Sequence, residues 1–290
     1  KPATPPPHAF ISYNPPKPGD KSLRLGVKDL IDIKGEVTSA GSEYLYKQAK
    51  PAKEDAACLR LSRKKDVTIV GKTNLSEFAV GVSGSNDYFG TPINPIAKDR
   101  VPGGSSSGSA VAVGLGLADV ALGTDTAGSI RVPAACCGVA GLKTTFGLIP
   151  IKGVYPIAPN YLDTVGPMAK NVNGLVKGME LLQDDFDALY ARARGAKPFA
   201  RQIRIGLLKV PGTDPAIDRA IEQRLVERGF QIVPLDREFL KEWKQAQRDG
   251  NLVAAAATRY NNQRLRREQG VGVRARLAIL LGDVVLSTKH

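Results

Sequence analysis

The period of the hydrophobic pattern changes several times along the chain. From Leu25 to Ile33 apolar and polar residues alternate, which predicts a strand running into a turn at Lys34-Gly35. Glu54 to Lys65 sets Ala56, Ala57, Leu59 and Leu61 on or near one side, the spacing of a helix. Val67 to Val70 predicts a short β-branched strand closed by Gly71, and Ala110 to Leu122 predicts a helix followed by a strand. Val172, Leu175, Val176, Met179 and Leu182 fall at helical spacing and mark Lys170–Leu182 as an amphipathic helix. The character shifts after about Asp184, where Arg204–Leu208 and Gln231–Leu235 predict strands around a helix at Pro215–Arg228. Alternating strands and helices argue for an α/β fold, a mixed β-sheet with helices on both faces. Between these elements, residues 1–20 form a proline-rich, irregular lead-in, Asn86–Ser109 a long loop, and Gly123–Ser129 a second, tighter loop.

Composition narrows the class. The chain has 290 residues, 42% hydrophobic and 24% charged, which is enough for a sizeable core in one large domain or two modest ones. We take 1–290 as a single domain. No apolar run is long enough to span a bilayer, and Lys1–Pro7 lacks the apolar segment of a signal peptide, so the expected location is cytoplasmic. Three cysteines make no disulfide framework, and adjacent Cys136 and Cys137 read as small buried thiols. Without a Cys-x-x-Cys pair, and with His8 and His290 as the only histidines, neither a metal site nor a cofactor is expected. The net charge of +13 draws heavily on Arg259, Arg264, Arg266, Arg267, Arg274 and Arg276. Aromatics barely interleave with them, so they read as a solvated helix face, and nucleic acid is not expected as a partner.

The chemistry lies in the two loops. Gly103-Gly-Ser-Ser-Ser-Gly-Ser109 could cradle a phosphate, and Gly71-Lys72-Thr73 resembles the tail of a P-loop, but Asp66 stands where that motif needs glycine. Ser106 sits at the centre of a Gly-x-Ser-x-Gly elbow, yet no histidine follows on a later loop to serve it. A bland linker would not require the apolar run that follows. If a serine is the nucleophile, its base is then lysine, carboxylate or tyrosine. A lysine can serve once burial pushes its pKa towards ~7–8. Lys28, among apolar residues at a strand end, is a candidate. The small residues Gly123 to Ser129 allow successive N–H groups to converge, as an oxyanion hole requires.

Taken together, Gly103–Ser109, Gly123-Thr-Asp-Thr-Ala-Gly-Ser-Ile-Arg-Val-Pro-Ala-Ala135 and Gly138-Val-Ala-Gly-Leu-Lys143 closely resemble the amidase signature family. So do Val27-Lys-Asp-Leu-Ile-Asp-Ile-Lys-Gly35, Gly71-Lys-Thr-Asn-Leu-Ser-Glu-Phe78 and Leu162-Asp-Thr-Val-Gly-Pro-Met-Ala169. The resemblance implies a Ser–cis-Ser–Lys triad: Ser129 as nucleophile, Ser105 as the bridging serine joined to Gly104 by a cis peptide bond, and Lys28 as base. It implies oxyanion donors on the backbone of Thr126, Ala127, Gly128 and Ser129, and a substrate-side backbone contact at Ala79. Asp125 and Arg131 would brace the nucleophile's loop. The implied activity is hydrolysis of a small-molecule carboxylic amide to acid and ammonia or amine. Two alternatives stay open: an amidotransferase A-type subunit releasing ammonia from glutamine, and a non-catalytic fragment of the same fold. A homodimer stays open as the assembly. Members of the family are generally longer, so an N-terminal helical portion and the last part of the C-terminal region are expected to lie outside this chain.

Overall fold

The structure is a computed structural model that describes residues 7–195 and 200–287. It contains two compact units, Lys1–Phe186 with Asn251–His290, and Asp187–Gly250.

The first unit is built on a six-stranded mixed sheet. Its strands are β1 (Phe10–Tyr13), β2 (Leu23–Lys28), β3 (Val67–Thr73), β4 (Val120–Asp125), β5 (Ala140–Gly141) and β6 (Thr164–Ala169), in spatial order β1-β3-β2-β4-β6-β5. β2 runs parallel to both β3 and β4, while β1, β5 and β6 pair antiparallel with their neighbours. The helices are α1 (Glu43–Gln48), α2 (Ser107–Gly114), α3 (Arg131–Cys137) and α4 (Val172–Glu180). Leu25, Val27, Val120, Leu122 and Val165 pack with Met179 and Leu182 on one face. On the other, Val70 and Met168 meet Ala110, Val111 and Ala112 of α2 and Ala134 of α3. Burial on both faces fits the apolar run Val120–Leu122 of β4, whereas β2 keeps the alternation read from the sequence.

Several elements depart from the sequence pattern for identifiable reasons. β1 forms inside the proline-rich lead-in because Phe10, Ser12 and Tyr13 pair with the edge of β3 across a bulge. The helix expected over 54–65 is instead two single 3-10 turns, Ala57–Leu59 and Ser62–Lys64. There the N–H groups of Ala56 and Ala57 donate to Asp32 and Lys152 carbonyls, tertiary partners that replace a helical ladder. The long glycine-serine loop ends at Ser106, and Ser107–Ser109 form the first turn of α2. A side chain at Gly108 would collide with the Asn74 backbone, its Cβ lying 2.6 Å from the Asn74 carbonyl oxygen, so glycine lets α2 lie directly on the segment that follows β3.

The second unit holds α5 (Phe186–Gly195) from Asp187 onward, the parallel pair β7 (Arg204–Gly206) and β8 (Gln231–Val233), and α6 (Pro215–Glu227). Asp214 caps α6 through the Ala216 N–H, with Pro215 at its first position. α7 (Arg237–Asn262) starts in this unit, and its last turns, from Asn251, belong to the first. α8 (Val273–Ser287) also belongs to the first unit. Part of the arginine cluster is engaged internally: Arg259 and Arg266 both pair with Asp283, and Arg276 donates to the Val271 and Glu268 carbonyls. No helix among the described residues is long and apolar enough to cross a membrane.

Candidate active site

The parallel strands β2 and β4 end side by side, and ligand sites in α/β sheets gather outside such carboxyl ends. Lys28 is the last residue of β2, fully buried, and its Nζ donates to Ser105 Oγ at 2.7 Å and to Thr124 Oγ1 at 2.8 Å. Thr124 lies near the end of β4, and Ser105 follows a cis peptide bond from Gly104. Gly104 packs so closely on Gly84 that an added Cβ would lie 2.6 Å from the Gly84 nitrogen. That contact holds the serine loop against the turn bearing Gly84.

A second fully buried lysine lies one strand away. Lys72 of β3 bonds the Ile31 carbonyl at 2.7 Å and Thr38 Oγ1 at 3.0 Å, and forms an ion pair with Asp29 at 3.1 Å. Burial pushes the Asp29 carboxyl up, opposed by Lys72 and by the Ser39 hydroxyl and N–H. The two lysines are therefore distinct. Lys72 has a carboxylate to balance its charge. Among the described residues Lys28 has hydroxyl partners and no ion pair. Burial accordingly lowers the Lys28 amine from 10.5 to about 7, against a partial upward pull from Asp125 and Asp163.

The loop after β4 is organised by Asp125. Its carboxylate accepts from the N–H groups of Gly128 at 2.8 Å and Ile130 at 3.1 Å, and from Arg131 Nε at 3.0 Å and Nη2 at 2.9 Å. Burial would raise this carboxyl, but these donors outweigh it and hold it below its ordinary value. The pairing of Asp125 with Arg131 read from the sequence is present, and it folds the loop around one buried anion. One consequence runs against the carried-over set: the Gly128 N–H is committed to Asp125. Among the described residues, the N–H groups of the other three carried-over donors, Thr126, Ala127 and Ser129, have no acceptor.

Ser129 follows Gly128 and is itself largely buried. Its carbonyl accepts from Ser106 N–H at 3.1 Å, which ties the Gly123–Ser129 loop to the Gly103–Ser109 loop. Its hydroxyl makes no hydrogen bond to Ser105 among the described residues. Ser129, Thr126, Ala127 and Ala79 line one cavity of about 200 Å3. Ala79 and Phe78 both have left-handed backbones, at φ 57° and 51°, a strained arrangement for residues with side chains. It is anchored by Phe78 N–H on the Ala40 carbonyl and by Glu77, which accepts from the Gly272 N–H at 3.0 Å.

Four residues around the site were given no role by the sequence reading: Thr124, Asp163, Asp29 and Lys72, the last noted there only within the P-loop-like run Gly71-Lys72-Thr73. Asp163 accepts from Thr126 Oγ1 at 2.6 Å and from the N–H groups of Ile157 and Ala158. The signal available for Lys72 and Asp29 was a charged residue inside an apolar strand run. Thr124 and Asp163 carried no comparable signal, because their partners are distant in sequence.

Fold and site together define a class: a mixed α/β protein with a buried lysine–serine pair at the ends of parallel strands, beside a loop of small residues. Within that class the chain belongs to the amidase (amidase signature) family, which residues 22–277 match. It is 35% identical over 298 residues to the A-type subunit of the glutamyl-tRNA(Gln) amidotransferase of Symbiobacterium thermophilum, covering 92% of this chain and 60% of that one. It is 41% identical over 172 residues to Amidase 1 of Oryza sativa subsp. japonica, covering 58% of this chain and 39% of that one. The native peptide amidase from Stenotrophomonas maltophilia superposes with a TM-score of 0.69 at 32% identity, over 92% of this chain and 61% of that one. The chain thus spans less than two thirds of the length of these relatives.

Proposed function

We propose that the chain is an amide hydrolase in which Ser129 is the nucleophile and Ser105 and Lys28 form its proton relay. The carrying observation is Lys28, a fully buried amine with hydroxyl partners and a pKa lowered to about 7. A neutral amine has one lone pair and two protons. It can donate to Thr124 while the Ser105 hydroxyl turns its proton into the lone pair. Ser105 then accepts the Ser129 proton as Ser129 Oγ bonds to the amide carbon. The carbonyl oxygen becomes an oxyanion facing the N–H groups of Ala127 and Ser129. The proton returns through the relay to the amide nitrogen, the C–N bond breaks, and ammonia or an amine leaves. Water, activated by the same relay, hydrolyses the ester left on Ser129. Thr126 and Ala79 bound the substrate, with Asp163 holding the Thr126 hydroxyl. The chemistry assigned here uses side chains and backbone alone, with no cofactor.

The long alignment with an A-type amidotransferase subunit favours a second reading. In it the same relay releases ammonia from glutamine for a partner protein.

The test is active-site labelling with a fluorophosphonate followed by peptide mapping, on the chain and on Ser129→Ala and Lys28→Ala. Label on Ser129 that both variants lose is the expected result. Folded protein without label removes Ser129 as an activated nucleophile.

A further inference from the structure

We propose that a cavity at the opposite end of the sheet from Lys28 and Ser105 binds a small diphosphate ester of nucleotide size, its phosphates held by Lys21, Lys170 and Lys177. The site owes nothing to the reading of Ser129 as nucleophile. Strands β2 and β4 run parallel, and the cavity lies where they begin: Leu23 and Val120, the first residue of each, both line it. Lys28 ends β2 about 17 Å away, at the rise of an extended strand. The cavity holds about 690 Å3, against about 200 Å3 beside Ser129. A volume of that order takes an organic ligand as well as an inorganic ion.

Its lining is cationic. Lys21, Arg24, Lys170 and Lys177 stand against a single carboxylate, Asp119, and that carboxylate is already taken. Asp119 Oδ1 accepts from Arg24 Nη2 at 2.6 Å, and Oδ2 accepts from Arg24 Nε at 3.1 Å and from the Arg24 N–H at 2.9 Å. Arg24 Nη1 donates to the Gly116 carbonyl at 2.6 Å. Arg24, and in smaller part Lys177, hold the Asp119 carboxyl below its ordinary value although burial raises it. Among the described residues Lys21, Lys170 and Lys177 form no ion pair. They come from three separate segments: Lys21 ahead of β2, Lys170 behind β6 and Lys177 on α4. Three such segments do not make the solvated stripe of one helix. Ammonium groups gathered without a counter-charge repel one another, and a bound anion relieves that repulsion.

The frame that carries two of these lysines is rigid. An added Cβ at Gly174 would lie 2.6 Å from the Ala169 Cβ, and one at Gly178 2.4 Å from the Pro167 Cβ, so α4 lies directly on β6. Asn171 caps α4 by accepting from the Gly174 N–H at 3.1 Å. The donors select the anion. A carboxylate is best met by the planar fork of arginine, and the guanidinium of Arg24 is spent on Asp119. What remains are three compact point charges, which suit phosphoryl oxygens presented in several directions. A terminal phosphate carries about two negative charges near pH 7 and a second, bridging phosphate adds one, which matches three lysines. Leu23, Val113 and Ala118 add apolar wall beside them for the organic part.

The experiment is an NMR titration of the full chain with ADP, with pyrophosphate and, for contrast, with succinate. Both phosphates are expected to give saturable shifts at the Gly116, Asn171 and Gly174 amides, ADP binding the more tightly and succinate at least about tenfold more weakly than ADP. Lys170→Gln and Lys177→Gln should each raise the Kd for ADP about threefold, and together about tenfold. Lys241→Gln, on α7 and outside the cavity, should leave it unchanged. All three substituted lysines are exposed, so the variants keep the fold, which circular dichroism checks. No saturable shift with ADP up to about 10 mM, or shifts confined to other residues, overturns the proposal. So does succinate bound as tightly as ADP, pyrophosphate bound alone, or a Kd that the double variant leaves unmoved. Equal losses in Lys241→Gln and Lys170→Gln overturn it too, because binding would then follow net charge and not this cavity.

Discussion

The depressed pKa of Lys28 yields a prediction with two independent arms. With a value of about 7 in place of 10.5, Lys28 is half neutral at pH 7, whereas an ordinary lysine would be neutral to only ~0.03%. The first arm is kinetic. kcat/KM for a primary amide should rise about tenfold per pH unit below roughly 7 and level off above it. Lys28→Arg keeps the charge and cannot deprotonate, so it should lose at least ~100-fold in kcat/KM. The second arm is thermodynamic. The folded-state value lies below the unfolded one, so the unfolded chain binds more protons between pH 7 and 10.5. The stability Lys28 contributes is therefore fully present above pH 10.5, declines as pH falls towards 7, and is constant below that. At roughly 1.4 kcal/mol per pH unit, the neutral-pH penalty is about 4 kcal/mol. Lys28→Met removes the penalty but strands the Ser105 and Thr124 hydroxyls at ~1 kcal/mol each. The variant should thus be more stable than the parent by about 2 kcal/mol at pH 7, and this gain should fall by about 4 kcal/mol on moving to pH 10.5. Urea denaturation at the two pH values measures both. A pH-independent stability difference, or a Lys28→Arg variant with parental kinetics, would refute the assignment of a neutral buried amine.

Four further outcomes follow from the same geometry. Thr124→Val deletes an acceptor for the charged Lys28 amine, so the acidic limb of the kcat/KM profile should move to lower pH. Lys72→Met strands Asp29 and should cost about 3–5 kcal/mol in urea denaturation, with Asp29→Asn in the same chain recovering part of it. Asp125→Ala unties its buried donors and should abolish fluorophosphonate labelling. Because its folded carboxyl is held below the ordinary value, the stability Asp125 supplies is present above about pH 4 and lost as pH falls through the folded value. Gly108→Ala drives a methyl into the Asn74 backbone and should destabilise by about 3 kcal/mol or more, read as a fall in the denaturation midpoint.

The residues to which the chemistry is assigned under the proposed function stand out in the sequence because they are written in local runs. Strand β2 ending in Lys28, the loop at Gly103–Ser109 and the loop at Gly123–Ser129 each announce themselves through composition and spacing over a few residues. The pairing of Asp125 with Arg131 was legible for the same reason, since six positions separate them on one tight loop. Element type was legible where the hydrophobic period was long, as in α4 and α6. It failed at Glu54–Lys65, where tertiary backbone acceptors on Asp32 and Lys152 outweigh local helical preference. It failed also at β1, where a free sheet edge recruited a segment that proline content marked as irregular.

What only the tertiary structure decided was which charged groups are buried together. Sequence shows Lys28 and Lys72 as two lysines at the ends of apolar runs. Among the described residues, folding gives Lys72 the carboxylate of Asp29, and gives Lys28 the hydroxyls of Ser105 and Thr124, which lie 77 and 96 positions away. Burial without a carboxylate partner is what pushes the Lys28 amine down to about 7. The wall of the Ser129 cavity was settled the same way, by Ala255 and Ala278 arriving from helices more than a hundred residues downstream. Local spacing determines which groups are available. Dielectric environment and counter-charge, the quantities that set their chemistry, exist only after chain closure.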